Sequence, residues 1–322
     1  MTQQRHGFTL IEVMVSILIF SVMSIAMIGV FSAATSIFRA GESARAATDE
    51  ATAVLAMLDD DLKRMVPPQD GGFFYTKTHM PNTATPGGNM VLAFKIRNPD
   101  AGAVSETGKD ARLIVLYWVD VDAADPEKSD LHRATATAAD SDNNTATTSE
   151  LAVVSALYGS ASATDSVVAK GCLYFGIDVS TPSAIRADLT WAACEPTGAA
   201  RYCTEVSGGT PAQPYPDAFR ISLSITGGNR FGAKGTLISD DGSVVRVAGV
   251  RQVPIMGEAL ARIDTPESGK AEWVRYDSFT KGMMTYSGPN GRGLRRTTTG
   301  VHTRGVPVYF CPTFTLVRSL PR

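Results

Sequence analysis

The chain has 322 residues, 44% of them hydrophobic, with 30 Lys and Arg against 32 Asp and Glu. The formal net charge of −2 gives no overall electrostatic argument for nucleic acid. The four cysteines have no C-x-x-C spacing, which weakens a zinc or thioredoxin-type reading.

Residues 1–7 form a short polar leader carrying Arg5 and His6. From Phe8 to Phe31 there are 24 residues, and Glu12 is the only charged one. As a helix this run measures about 36 Å, enough to cross a hydrocarbon core of about 30 Å. The run exceeds the apolar region of a secretory signal peptide, although Ser32-Ala33-Ala34 would pass as a cleavage site. Neither a signal peptide nor a plain signal anchor accounts for Glu12. A carboxylate in a membrane segment is expensive and marks a functional position.

The stretch Gly7-Phe8-Thr9-Leu10-Ile11-Glu12 resembles the processing site of type IV prepilins and type II secretion pseudopilins. The resemblance implies that a prepilin peptidase cuts between Gly7 and Phe8 and methylates the new amino group of Phe8. It further implies that the Glu12 carboxylate meets an N-terminal ammonium as subunits enter a helical filament. Such a pair attracts far more strongly in a low-dielectric bundle than in water. An unpaired Glu12 there would be costly, so pairing acts as a register check.

The helix is predicted to continue through residues 32–66. Ala47, Ala51, Val54, Leu55, Leu58, Leu62, Met65 and Val66 recur at steps of three and four, and Pro67-Pro68 ends the pattern. Gly29 and Gly41 are its soft points, and Gly29 stands where many major type IV pilins carry a proline. Strands are expected at Val91–Arg97, Arg112–Val119, Phe219–Ile225, Thr236–Ile238 and Val244–Val250, with a hairpin turn at Asp240–Ser243. Leu151–Leu157 and Leu173–Val179 read as short strands or helical turns, and Val306–Val317 as a last strand. Residues 133–150 look like an exposed insertion, 194–216 like a loop, and 264–305 like a Gly- and Arg-rich tail.

This order predicts an α+β, pilin-like fold: a long N-terminal helix packed on an antiparallel β-sheet head with long loops. The divisions are a leader at 1–7, a transmembrane part at 8–31, a periplasmic amphipathic part at 32–66 and a β-rich head at 67–322. Asp60-Asp61-Leu62-Lys63-Arg64, Tyr117-Trp118-Val119, Leu131-His132-Arg133 and Pro216–Ile221 follow in an order similar to the J-type minor pseudopilins and W-type minor pilins. The extra residues after Val250 depart from that pattern.

Cys172, Cys194, Cys203 and Cys311 are disulfide candidates in an oxidising compartment, and Cys194–Cys203 closes the shortest loop. Asp120, Asp122 and Asp125, followed by Glu127 and Asp130, offer a calcium alternative to a plain solvated loop. Ala124 stands where a calcium loop needs an acid or amide. Asp140, Asp142 and Asn144 share the spacing, but Thr145 replaces the required Gly. Residues 100–166 hold 12 acids and 4 bases, whereas 271–322 hold 8 bases and 2 acids. Arg292, Arg295, Arg296 and Arg304, with Lys281, Tyr276 and Tyr286, form the basic stretch, read as a face meeting acidic subunits or as a DNA patch.

The four histidines are scattered and no catalytic motif appears, so no enzyme and no cofactor are expected. The implied protein is a single-pass inner-membrane subunit with a periplasmic head, built into a periplasmic or surface filament as an initiator or tip. Its implied partners are the prepilin peptidase, other pilin or pseudopilin subunits, the inner-membrane assembly platform and the lipid bilayer. Nucleic acid is not an expected partner. The alternative is a pilus-tip binding module, an adhesin or DNA-uptake subunit.

Overall fold

The computed structural model describes residues 9–78, 90–98, 112–122, 125–137, 150–159, 166–180, 192–193, 201–204, 215–226, 233–250, 253, 259–265, 270–288, 291–292, 294–295, 297, 299–300 and 302–319. The chain divides into two compact units, Met1–Arg45 and Ala46–Arg322. One helix, α1 (Leu10–Lys63), contributes to both. The result is the expected α+β architecture, a long apolar helix followed by antiparallel sheets.

In the second unit the predicted apolar stripe is the buried face of α1. Ala47, Ala51, Val54, Leu58 and Leu62 are all buried, and so are Met65 and Val66 just beyond the helix. The helix stops at Lys63 rather than at Val66. The Arg64 and Met65 amides tighten into three-residue turns onto Asp61 and Leu62. The Val66 amide then donates to Lys95 O, so the chain is already in sheet contact before Pro67.

Six strands form the first sheet, in the order β5 (Ser166–Ala169), β4 (Asp130–Thr137), β3 (Arg112–Asp120), β2 (Met90–Arg97), β1 (Phe74–Thr78) and β8 (Arg201–Cys203). One face carries Phe74, Leu92, Phe94, Val115, Tyr117 and Leu131 into a core shared with α1. The other carries Phe73, Tyr75, Val91, Ile114 and Leu116 against α2 (Glu150–Gly159). Both faces being covered explains the unbroken apolar run of β3. A second sheet, in the order β16 (Thr313–Ser319), β9 (Ala218–Ile225), β6 (Cys172–Ser180) and β7 (Ala192–Ala193), closes the α1 core with Phe175, Ile177, Ile221 and Leu223.

Three stretches read as irregular contain strands. Residues 133–137 belong to β4, not to an exposed insertion, because β3 supplies, from Leu113 to Tyr117, the apolar partners that its small side chains lack. Residues 138–149 lie outside the described residues. The stretch 194–216 includes β8, which pairs with β1 at Tyr75–Lys77. The supposed tail at 264–305 contains β13 (Lys270–Thr280) and β14 (Met283–Tyr286), joined by a two-residue turn in which Lys281 and Gly282 both have positive φ, 52° and 77°.

Those strands belong to a closed barrel, β10 (Ala233–Asp240), β11 (Val244–Ala248), β14, β13, β12 (Leu260–Thr265) and β15 (Pro307–Phe310). The final predicted strand is in fact two, β15 in the barrel and β16 in the second sheet. The barrel has its own core of Leu237, Val245, Val247, Ile263, Val274, Met284, Val308 and Phe310. Tyr276 and Phe279 meet the Phe310 ring edge-on at 5.7 and 5.1 Å. The Asp240–Ser243 turn forms as expected, with Asp241 Oδ1 accepting from the Ser243 and Val244 amides.

Candidate functional site

Within the first unit, the stretch Leu10–Arg39 offers apolar surface and one carboxylate, Glu12. Leu10–Arg39 is long and apolar enough to cross a membrane, with a mean hydropathy of 2.6. Leu10, Ile11, Phe20 and Phe31 are each at least 70% exposed, a surface that water does not tolerate at this extent. Four of its hydroxyls are satisfied by the helix's own carbonyls: Ser16 donates to Glu12 O and Ser21 to Ile17 O, both at 2.8 Å, Thr35 to Phe31 O at 2.7 Å and Ser36 to Ala33 O at 3.0 Å. Lipid demands such self-sufficiency, since it offers no partner for a free donor.

Glu12 is built into the helix start. Thr9 precedes the helix, and its carbonyl accepts from the Glu12 and Val13 amides at 3.1 and 3.2 Å. The Thr9 hydroxyl accepts from the Glu12 amide, and the Thr9 amide and hydroxyl donate to Glu12 Oε2, all at 3.4 Å. This is a reciprocal capping box, Thr-x-x-Glu, and the negative charge also complements the positive helix end. Glu12 Oε1 takes no part in these bonds. The carboxylate is therefore held at the N-terminal end of the apolar helix and is exposed there. Gly7 and Phe8 lie outside the described residues.

Residues 2–28 match the family model described as the prokaryotic N-terminal methylation motif. The chain carries a prokaryotic N-terminal methylation motif. The methylation motif and its apolar helix support a type IV pilin- or pseudopilin-like processed subunit, anchored in a membrane. No curated protein and no solved structure matches the chain.

Elsewhere the structure redistributes the residues singled out from sequence. Asp61, Tyr117 and Arg133, from three separate fragments, converge in one buried group. Tyr117 Oη donates to Asp61 Oδ2 at 2.5 Å, and Arg133 donates to both Asp61 oxygens. Burial, with Asp61 beside it, pushes the Tyr117 hydroxyl far above its ordinary range. Burial acts against the Arg133 charge, yet its bonds to Asp61 and Tyr117 raise its pKa. In the same fragments Trp118 stacks on His132 at 5.2 Å, and Arg220 pairs with Asp178 at 2.7 Å.

Cys172 and Cys311 are buried free thiols, and burial raises both, Cys311 to about 11. Cys194 and the side chain of Cys203 lie outside the described residues. Asp122 Oδ1 accepts the Asp125 amide at 2.9 Å, while Lys234 approaches Glu127 at 3.5 Å and Asp125 at 4.0 Å. That ammonium does not suit a calcium site, because its charge opposes a divalent cation. Among the described residues no group of three or more His, Cys, Asp or Glu is arranged to hold a metal.

The basic stretch is not one face. Arg292 donates to both oxygens of Glu272 at 3.0 and 2.9 Å, and His302 Nε2 lies 2.7 Å from the same carboxylate. Burial alone would raise the Glu272 carboxyl, but the bonds from His302 and Arg292 bring it down to about 2. Arg295 packs over two aromatic rings, and Tyr276 and Tyr286 are buried. Lys281 and Arg304 remain exposed. Arg296 lies outside the described residues.

Proposed function

We propose that the chain is a minor pseudopilin or pilin, an initiator or tip subunit of a type II secretion pseudopilus or type IV pilus. The observation that carries this is the methylation motif on a capped apolar helix that presents Glu12 at its start. Prepilin peptidase cuts between Gly7 and Phe8 and methylates Phe8. The Phe8 ammonium, created by that cut, then pairs with Glu12 of a neighbouring subunit in the filament. The capping box restrains the carboxylate before that pairing, which lowers the entropy lost when the ammonium arrives.

The subunit is held by one span in the inner membrane, with its head in the periplasm. Its partners are the peptidase, sister subunits and the assembly platform. It has no catalytic role and needs no cofactor. Likeness to the J- and W-type subunits, and a head enlarged by a closed barrel, support a terminal position rather than one repeated along the filament. A Cys194–Cys203 disulfide belongs to this reading, since the head matures in an oxidising compartment.

The barrel also favours a second reading, a tip module that binds an external partner. A DNA partner fits it less well, because Arg292 and Arg295 are engaged inside the protein.

Mass spectrometry of the N-terminal peptide from membrane fractions tests the first step. A peptide beginning at N-methylated Phe8 is expected. An intact Met1 leader in peptidase-competent cells would overturn the assignment, as would a mature start near Thr35.

A further inference from the structure

Strands β10 to β15 all lie between β9 and β16 in the chain. Yet β9 and β16 pair along their length, from Ala218↔Ser319 to Ser224↔Thr313. The barrel thus occupies the place of a hairpin turn. Its core is separate from that of the sheets, and a third cluster joins the two: Leu173 and Tyr174 of β6 with Leu260, Trp273, Tyr309 and Cys311.

Arg295 sits at that junction. Its guanidinium carbon lies 3.9 Å from the Tyr174 ring centroid and 4.2 Å from that of Trp273, one ring from the sheet and one from the barrel. Nη1 donates to Ser224 Oγ at 2.9 Å and Nη2 to Thr313 Oγ1 at 2.7 Å. Ser224 and Thr313 are the paired residues at which the chain leaves the sheet and returns to it. Arg295 has a φ of 54°, uncommon for a residue with a side chain, and such strain persists only where its surroundings over-determine it. Arg262 of β12, fully buried, donates to Leu173 O at 3.0 Å and is steadied by Asp264 at 2.7 Å. Lys234 of β10 reaches Glu127. In each case a cation on the barrel side meets a ring, carbonyl, hydroxyl or carboxylate of the sheet body.

We propose that the barrel is an inserted module, locked in one orientation by an Arg295 clamp on Tyr174, Trp273, Ser224 and Thr313. A planar guanidinium stacks and donates in its own plane at once, which an ammonium cannot do. The clamp couples two cores that would otherwise melt independently. It stands apart from the pilin reading, since it would hold in any protein with this head.

The test is calorimetry with limited proteolysis on the full chain in detergent. The wild type is expected to unfold its head in one transition. Arg295→Ala is expected to split off a barrel transition about 5–10 °C lower, with new cleavage between the sheet and the barrel. Arg295→Lys is expected to fall between the two, and Arg304→Ala to match the wild type. An Arg295→Ala head that melts in one transition at the wild-type midpoint would overturn the clamp. If Arg295→Ala does not fold, a chain with residues 227–311 replaced by a short glycine-containing turn decides the matter. A protease-resistant sheet body supports an inserted module, and an unfolded one overturns it. N-terminal processing of Phe8, read in the same samples, reports on the pilin assignment separately.

Discussion

Arg133 holds Asp61 with two hydrogen bonds, Nε to Oδ2 at 2.9 Å and Nη2 to Oδ1 at 3.1 Å, fastening the last turn of α1 to β4. Asp61 is 4% exposed and lies among the apolar residues of the helix face. Tyr117 completes the group from β3. Asp61→Ala is therefore expected to destabilise the head by about 3 kcal/mol, because it leaves a half-buried guanidinium and a buried phenol without their acceptor. Urea denaturation followed by tryptophan fluorescence measures this. A loss below 1 kcal/mol would show that the group contributes little.

Glu272 gives the barrel an acid-sensitive element. Its carboxyl is depressed from 4.5 to about 2, so it titrates lower in the folded than in the unfolded chain. The stability it contributes is complete above about pH 4.5 and is lost as pH falls towards 2; a shift of this size corresponds to about 3 kcal/mol. Glu272→Gln is expected to flatten the fall in stability between pH 5 and 2, and to destabilise at pH 7. Denaturation midpoints at several pH values check both.

Thr9 is expected to matter beyond its size. Thr9→Val keeps the shape but removes the hydroxyl that accepts from Glu12 and donates to its carboxylate. The helix start should loosen by about 1 kcal/mol. Hydrogen exchange in micelles should show a faster Glu12 amide, with amides beyond Ser16 unchanged.

Gly235 marks a close approach inside the barrel. A Cβ there would lie 2.2 Å from Val247 Cγ1, 2.6 Å from Val250 Cγ2 and 2.9 Å from Ala248 O. Gly235→Ala should destabilise the barrel by about 1–3 kcal/mol, since β10 cannot move without straining its bonds to β11 and β15. Thermal unfolding of the head reports this directly.

Periodicity made much of this molecule legible. The steps from Ala47 to Val66 marked a helix face because one side of a 3.6-residue period was apolar. The run Arg112–Val119 marked a strand covered on both sides. The Thr9–Glu12 spacing carries a capping-box signature, which the reading of Glu12 as a lone intramembrane charge and as part of a prepilin-like processing site did not use. Three barrel strands are legible, near Thr236–Ile238, Val244–Val250 and within Val306–Val317, but β13 and β14 are not, because the stretch around them is rich in Gly and its arginines resemble a solvated surface. Arg262, Arg292 and Arg295 are instead spent inward, on Asp264, Glu272 and two aromatic rings. Composition cannot distinguish a guanidinium in water from one stacked on Trp273. Likewise, nothing local to β9 reveals that its neighbour lies beyond a whole barrel.

That separation also orders events during synthesis. β9 is made before any barrel strand, whereas β16, which covers one of its edges, is made only after β15. Until then β9 has an open edge, the kind that pairs with stray chains. The sheet body is completed only when ribosomal output has passed the barrel, and such long-range pairing is slow. Closing of the β9 edge by β16 therefore reports that the intervening module has been made in full.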